Sequence, residues 1–147
     1  MNTANRSDPN PSGLTAVLDT NVYISALNHP KGVPFRIWQQ AIRRRYTLLV
    51  SPAIMRETAR VLREYFEWTE PAIVAQLKLL AKVAQIVTPN ITIDVIVEDD
   101  SDNRILECAV AGNADLIVSG DHHLRKLKTY QGIGIVRPAD FLRTLGM

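Results

Sequence analysis

Four carboxylates stand where this chain could do chemistry. Asp19 and Asp121 each follow an apolar run, in "AVLD" and "LIVSGD". Runs of that kind read as strands buried on both faces of a parallel sheet. Ligands of an open parallel sheet bind at the carboxyl ends of its strands, so both acids are expected on one rim. Asp102 opens a helical stretch that leaves the same rim. Glu57 lies in a helix starting at Ser51, about 60° around the axis from Ile54, beside the apolar stripe of Ile54, Val61 and Tyr65. Converging carboxylates repel: two unit charges about 4 Å apart cost roughly 1 kcal/mol in water and about 4 at an effective dielectric of 20. A hard divalent cation such as Mg²⁺ offsets that repulsion and can engage phosphates. It would also activate a water for in-line attack on a phosphodiester.

The elements that must position these acids alternate along the chain. Strands are expected at 15–19, 46–51, 84–89, 115–121 and 133–138, with 91–97 either a strand or an extended edge segment. Helices are expected from "VYISALN", "FRIWQQAIRRR", residues 52–65, 70–84 and 102–112, a short "HHLRKL" piece and "ADFLRTLG". Ser51-Pro52 is a helix start, since serine caps an orphan amide and proline suits the first helical position. Gly112-Asn113 is a helix stop. The alternation implies an α/β fold, a three-layer α/β/α sandwich with a mainly parallel central sheet.

Composition bounds the rest. The 147 residues suit one domain, read as 14–147 behind a polar, Pro- and Asn-rich tail at 1–13 that is expected to be flexible. A net charge of +2 does not identify a nucleic-acid binder. The single cysteine, Cys108, excludes an internal disulfide and reads as a small core residue. No stretch reads as a signal peptide or approaches the roughly 20 apolar residues of a membrane span. The expected location is the cytoplasm, with no membrane partner.

"VLDTNVYISAL", "VSPAIMRETARVL" and "DDSDNRILECAVAGNADLIVSGDHHLRKL", in that order and spacing, resemble the PIN domain, in particular the VapC-like toxin components of bacterial toxin–antitoxin pairs. The likeness runs over about residues 14 to 140. It implies a Mg²⁺- or Mn²⁺-dependent endoribonuclease, a homodimer restrained by a cognate antitoxin. The family's acids fall on Asp19, Glu57, Asp102 and Asp121. In the acidic loop Asp99, Asp100 and Asp102 compete; Asp102 aligns best and Asp100 second. The family's supporting polar residues fall on Thr20 or Asn21 and on Ser119, with the Asn21 amide the favoured group to orient Asp19. RNA phosphates would find candidate cations in Arg43, Arg44, Arg45, Arg56 and Arg104, with Arg60 and Arg63 further options and His122 beside the site.

Plainer roles compete for the same residues. Asp19, Asp102 and Asp121 suit helix caps or turns, Glu57 and the arginines suit solvated helix faces, and His122 and His123 suit exposure beside a helix start. Trp38, Phe66 and Trp68 read as core or dimer contacts. A haloacid-dehalogenase-type phosphatase also places an Asp after its first strand, but it needs a second Asp where this chain has Asn21. A receiver domain needs a lysine after a late strand, where this chain has Ser119-Gly120-Asp121. A non-catalytic RNA- or protein-binding module of the same fold is the alternative from outside the enzymes.

Overall fold

The computed structural model describes residues 10–147; residues 1–9, most of the expected tail, lie outside them. From Asn10 the chain is already tied to the domain. Asn10 Nδ2 donates to Leu14 O at 3.0 Å and Thr47 Oγ1 at 2.9 Å, and Ser12 Oγ to Arg45 O at 2.8 Å.

The strands are β1 (Thr15–Leu18), β2 (Thr47–Val50), β3 (Gln85–Ile86), β4 (Leu116–Val118), β5 (Thr129–Tyr130) and β6 (Ile133–Val136). The helices are α1 (Thr20–Asn28), α2 (Val33–Ile42), α3 (Pro52–Tyr65), α4 (Glu70–Val83), α5 (Asp100–Ala111), α6 (His122–Arg125) and α7 (Pro138–Thr144). The sheet order is β3-β2-β1-β4-β6-β5, parallel except for the β5–β6 pair. Helices flank the sheet, giving the three-layer sandwich.

The central strands are apolar because helices cover both faces: Ala16, Val17, Leu18, Leu49, Val50, Ile117 and Val118 are buried. Register Leu18↔Val118 sets the ends of β1 and β4 side by side, and Val118↔Val136 adds the end of β6. This common rim receives Asp19, Ser119 and Arg137.

Local chemistry fixes where the flanking helices begin and end. Ser51 Oγ accepts from Ile54 N–H at 3.3 Å, with Pro52 starting α3. Gly112 closes α5 against β2, where a Cβ would stand 2.4 Å from Leu49 Cδ1. A larger residue there would force the Leu49 and Val87 side chains to shift.

The structure departs from the sequence reading at β5 and at the start of α5, and at 91–97 it leaves the extended segment rather than the strand. β5 was not expected; two residues carry too short a pattern to read. Residues 91–97 are neither helix nor strand. Their backbone is held by α5 side chains instead. Asn103 Oδ1 accepts from Val95 N and Ile96 N at 3.1 and 2.9 Å, and Glu107 Oε2 from Ile93 N at 2.8 Å. Finally, α5 begins at Asp100, not at 102, because Asp99 is the cap: its Oδ1 accepts from Ser101 N at 3.0 Å.

Candidate metal centre

Asp19 occupies the N-cap position of α1, yet its side chain makes no cap bond across the turn. Its carboxylate turns along the rim, where Ser119 Oγ donates to Oδ2 at 2.7 Å. Ser119, fully buried at the end of β4, in turn accepts from Asp121 N–H at 2.9 Å. One hydroxyl therefore links the two strand-end acids. Asp121 caps α6, its Oδ1 accepting from His123 N at 2.7 Å.

Asp102 reaches the same place from α5. Since Asp99 takes the cap, Asp102 falls in the first turn, and its side chain points inward at 2% exposure. Asp19, Asp102 and Asp121 each offer a carboxylate oxygen, all within 4.8 Å of one another.

The electrostatics reflect that crowding. Burial, then the neighbouring Asp121 charge, pushes the Asp19 carboxyl up to about 6, against the lowering effect of the Ser119 bond. Asp102 is raised as well, chiefly by burial, then by the neighbouring Asp19 and Asp121 carboxylates. Asp102 Oδ2 is buried with no hydrogen-bond partner among the described residues. An orphaned buried acceptor between two further carboxylates suits a hard divalent cation, and an all-oxygen donor set suits Mg²⁺ or Mn²⁺.

The other candidate residues lie elsewhere or are otherwise engaged. Glu57 is outside the group of three; both its oxygens are held by Arg60, Nε to Oε1 and Nη2 to Oε2 at 3.0 Å each. An arginine fork one turn away offers two charge-assisted bonds, while the rim offers only like charge. Asp100 is exposed, accepting from Asn103 Nδ2 at 3.1 Å and from Arg104 Nη1 at 3.4 Å. Asn21 is exposed, with no bond to Asp19; Thr20 is buried beside it, and Ser119 is the side chain that orients the Asp19 carboxylate.

The predicted cations divide by place. Arg43, Arg44 and Arg45 precede β2, and Thr47 pairs with Thr15 at the start of β1. They sit at the opposite end of strands about 13 Å long, away from the acids. Arg56 and Arg104 line one depression of about 310 Å³ beyond the ends of β2 and β3, with Ser51, Thr88 and Glu107. Arg104 is committed within the fold, donating to Ile93 O at 3.1 Å and pairing with Glu107 at 2.8 Å. His122 is exposed beside Asp121. Arg60 pairs with Glu57 and Glu64, and Arg63 with Glu70.

Asn103 was not expected in any role. It is fully buried and anchors the 91–97 segment; the only sequence signal was an amide directly after Asp102 on a helix otherwise turned to the core. Also unforeseen were Arg125, Lys128 and Arg137, which gather near the rim.

Comparison with known proteins agrees with this architecture. Residues 15–123 match the family described as PIN domain. An uncharacterized protein of Methanocaldococcus jannaschii is 32% identical over 120 residues, covering 78% of this chain and 76% of that protein. Among solved structures, VapBC2 from Rickettsia felis, bound to a DNA fragment from its promoter, superposes with a TM-score of 0.57 at 13% identity, over 84% of this chain and 98% of that one. PAE2754 from Pyrobaculum aerophilum gives 0.54 at 15% identity, over 99% and 96%. At those identities the two structures speak for the fold.

Proposed function

The chain belongs to the PIN-domain family, and from that premise we propose that it is a Mg²⁺- or Mn²⁺-dependent endoribonuclease, the toxin of a toxin–antitoxin pair. The observation that carries the reading is the convergence of Asp19, Asp102 and Asp121 around the unpartnered Asp102 Oδ2. When bound, a divalent cation supplies charge for the phosphoryl oxygens and an activated water as nucleophile. The residues of this chain do the holding. Asp19, Asp102 and Asp121 would ligate directly, Ser119 orients the Asp19 carboxylate and anchors the Asp121 backbone, and Glu57 would reach the centre by leaving Arg60. No side chain serves as nucleophile.

By analogy of fold with VapBC2, a cognate antitoxin is the proposed partner, and a homodimer acting in the cytoplasm the proposed form. Tyr65, Phe66 and Val74, exposed apolar residues at the end of α3 and on α4, offer a surface for such contacts. Among the described residues no helix is long and apolar enough to cross a membrane.

The test is cleavage of a mixed RNA substrate with Mg²⁺ or Mn²⁺. Activity that survives EDTA, or survives Asp19→Asn unchanged, removes the catalytic assignment. RNA binding without cleavage under either metal would instead favour a non-catalytic module.

A further inference from the structure

The rim continues past the carboxylates. α6 leaves Asp121 and presents Arg125 one turn later, its N–H donating to Asp121 O at 3.0 Å. Lys128 follows. Arg137 stands at the end of β6 beside Val136, whose carbonyl accepts from Ser119 N at 2.9 Å. These three cations line a depression of about 350 Å³ with Ile135, Val136 and Asp140.

Its charges are unevenly matched. Asp140, the one acid, is engaged twice, by Arg137 Nε at 3.5 Å and by Arg143. Arg125 and Lys128 make no ion pair among the described residues. Arg125 Nε is buried with no acceptor, a donor whose desolvation is uncompensated within the chain.

We propose that this depression binds an RNA backbone phosphate neighbouring the one that is cleaved. The inference rests on the endoribonuclease reading and adds a substrate subsite to it. The advance from Asp121 to Arg125 is about 6 Å along the helix axis. A strand whose scissile phosphate sits on the carboxylate centre must lay its next phosphates over the adjoining surface. A guanidinium fork and an ammonium suit phosphate oxygens, and an Arg125 whose Nε has no internal acceptor is free to turn toward one. An acidic protein segment would satisfy the charges too, but it has no need of a position one helical turn from the carboxylates. The basic Arg43–Arg45 cluster lacks that position, standing at the far end of the sheet.

The experiment is fluorescence anisotropy of a labelled single-stranded RNA, with Ca²⁺ replacing Mg²⁺ to keep it uncut, over a salt series. Arg125→Gln with Lys128→Asn is expected to raise Kd about tenfold and to flatten the slope of log K against log salt by about 0.7, the loss of one phosphate contact. Asparagine suits position 128, where φ is 62°. Arg43→Gln with Arg45→Gln should change neither quantity, and both pairs should melt like the native chain. Equal losses in the two pairs, or none at positions 125 and 128, would overturn the subsite. If the native chain still binds and cuts RNA in that case, the endoribonuclease reading stands alone; if it neither binds nor cuts, both fall. Retained RNA affinity with lost affinity for an acidic peptide would make this a protein-binding surface and overturn the proposal.

Discussion

Ser119 Oγ donates a 2.7 Å hydrogen bond to Asp19 Oδ2 between residues one hundred positions apart, joining the ends of β4 and β1. The same hydroxyl accepts from the Asp121 backbone N–H, so a single buried side chain orients the Asp19 carboxylate and ties the Asp121 backbone beside it.

Ser119→Ala should therefore weaken the centre without touching a proposed ligand. Loss of an orienting partner typically costs 10- to 100-fold in metal affinity or activity. Mn²⁺ affinity measured by calorimetry should fall within that range, and Ser119→Thr should restore most of it. An unchanged affinity would mean that the carboxylates are held by packing alone.

The acid cluster should also make the metal-free fold pH-dependent in a specific direction. Asp19 is raised in the folded state from 3.8 to about 6, so between those values the folded chain holds more protons than the unfolded one. Stability then falls as pH rises through that window. The contribution is fully present below 3.8 and lost above about 6, a difference of about 3 kcal/mol for a shift of this size. Asp102 is shifted the same way and adds to the effect. Urea melts in EDTA at pH 5 and pH 8 should show the higher midpoint at pH 5, and Asp19→Asn should flatten the dependence.

Metal should reverse that loss. At pH 8, Mn²⁺ at 100 times its Kd is expected to stabilise the chain by about 2.7 kcal/mol, with EDTA removing the gain. Asp102→Asn should abolish the metal response while leaving the metal-free fold as stable as the native chain or more so, because a buried like charge has gone. A melting temperature indifferent to Mn²⁺ in the native chain would count against the centre.

Glu57 poses a separable question, since Arg60 occupies both of its oxygens. Arg60 is solvent-exposed, so water and salt screen the pair and the fork should yield to a divalent cation. Arg60→Gln should barely move the melting temperature and should raise metal affinity if Glu57 then joins the three aspartates. Should Glu57→Gln lower metal affinity as much as Asp121→Asn does, Glu57 is as strong a ligand as the strand-end acid.

Asn103 carries a structural prediction. Its side chain bonds Val95 N, Ile96 N and Ile96 O from a fully buried position. Replacement by leucine strands three backbone groups, at about 1–3 kcal/mol for each that stays buried and unsatisfied. Hydrogen exchange should report early loss of protection at Val95 and Ile96, ahead of the central strands.

The sheet was legible because its central strands are buried on both faces, which leaves unbroken apolar runs such as "AVL" and "LIV" ending in acids. Helix starts at Ser51 and the stop at Gly112 were legible for the same local reason, a cap or a missing Cβ. The two-residue β5 and the 91–97 segment were not, since the first is set by its pairing with β6 and the second by side chains of a helix further along the chain.

By itself the sequence determined which acids follow strands, because unbroken apolar runs and the open-sheet rule fix the rim from local pattern. Only the tertiary structure decided which groups meet there. It set Asp102 inward by giving the cap to Asp99, chose Ser119 over Asn21 to orient Asp19, and paired Glu57 with Arg60 outside the three aspartates. It also sent Arg43–Arg45 to the far end and brought Arg125, Lys128 and Arg137 to the near one. Those outcomes depend on distances between elements far apart in the chain, and charge and hydrogen bonding act through distance in space.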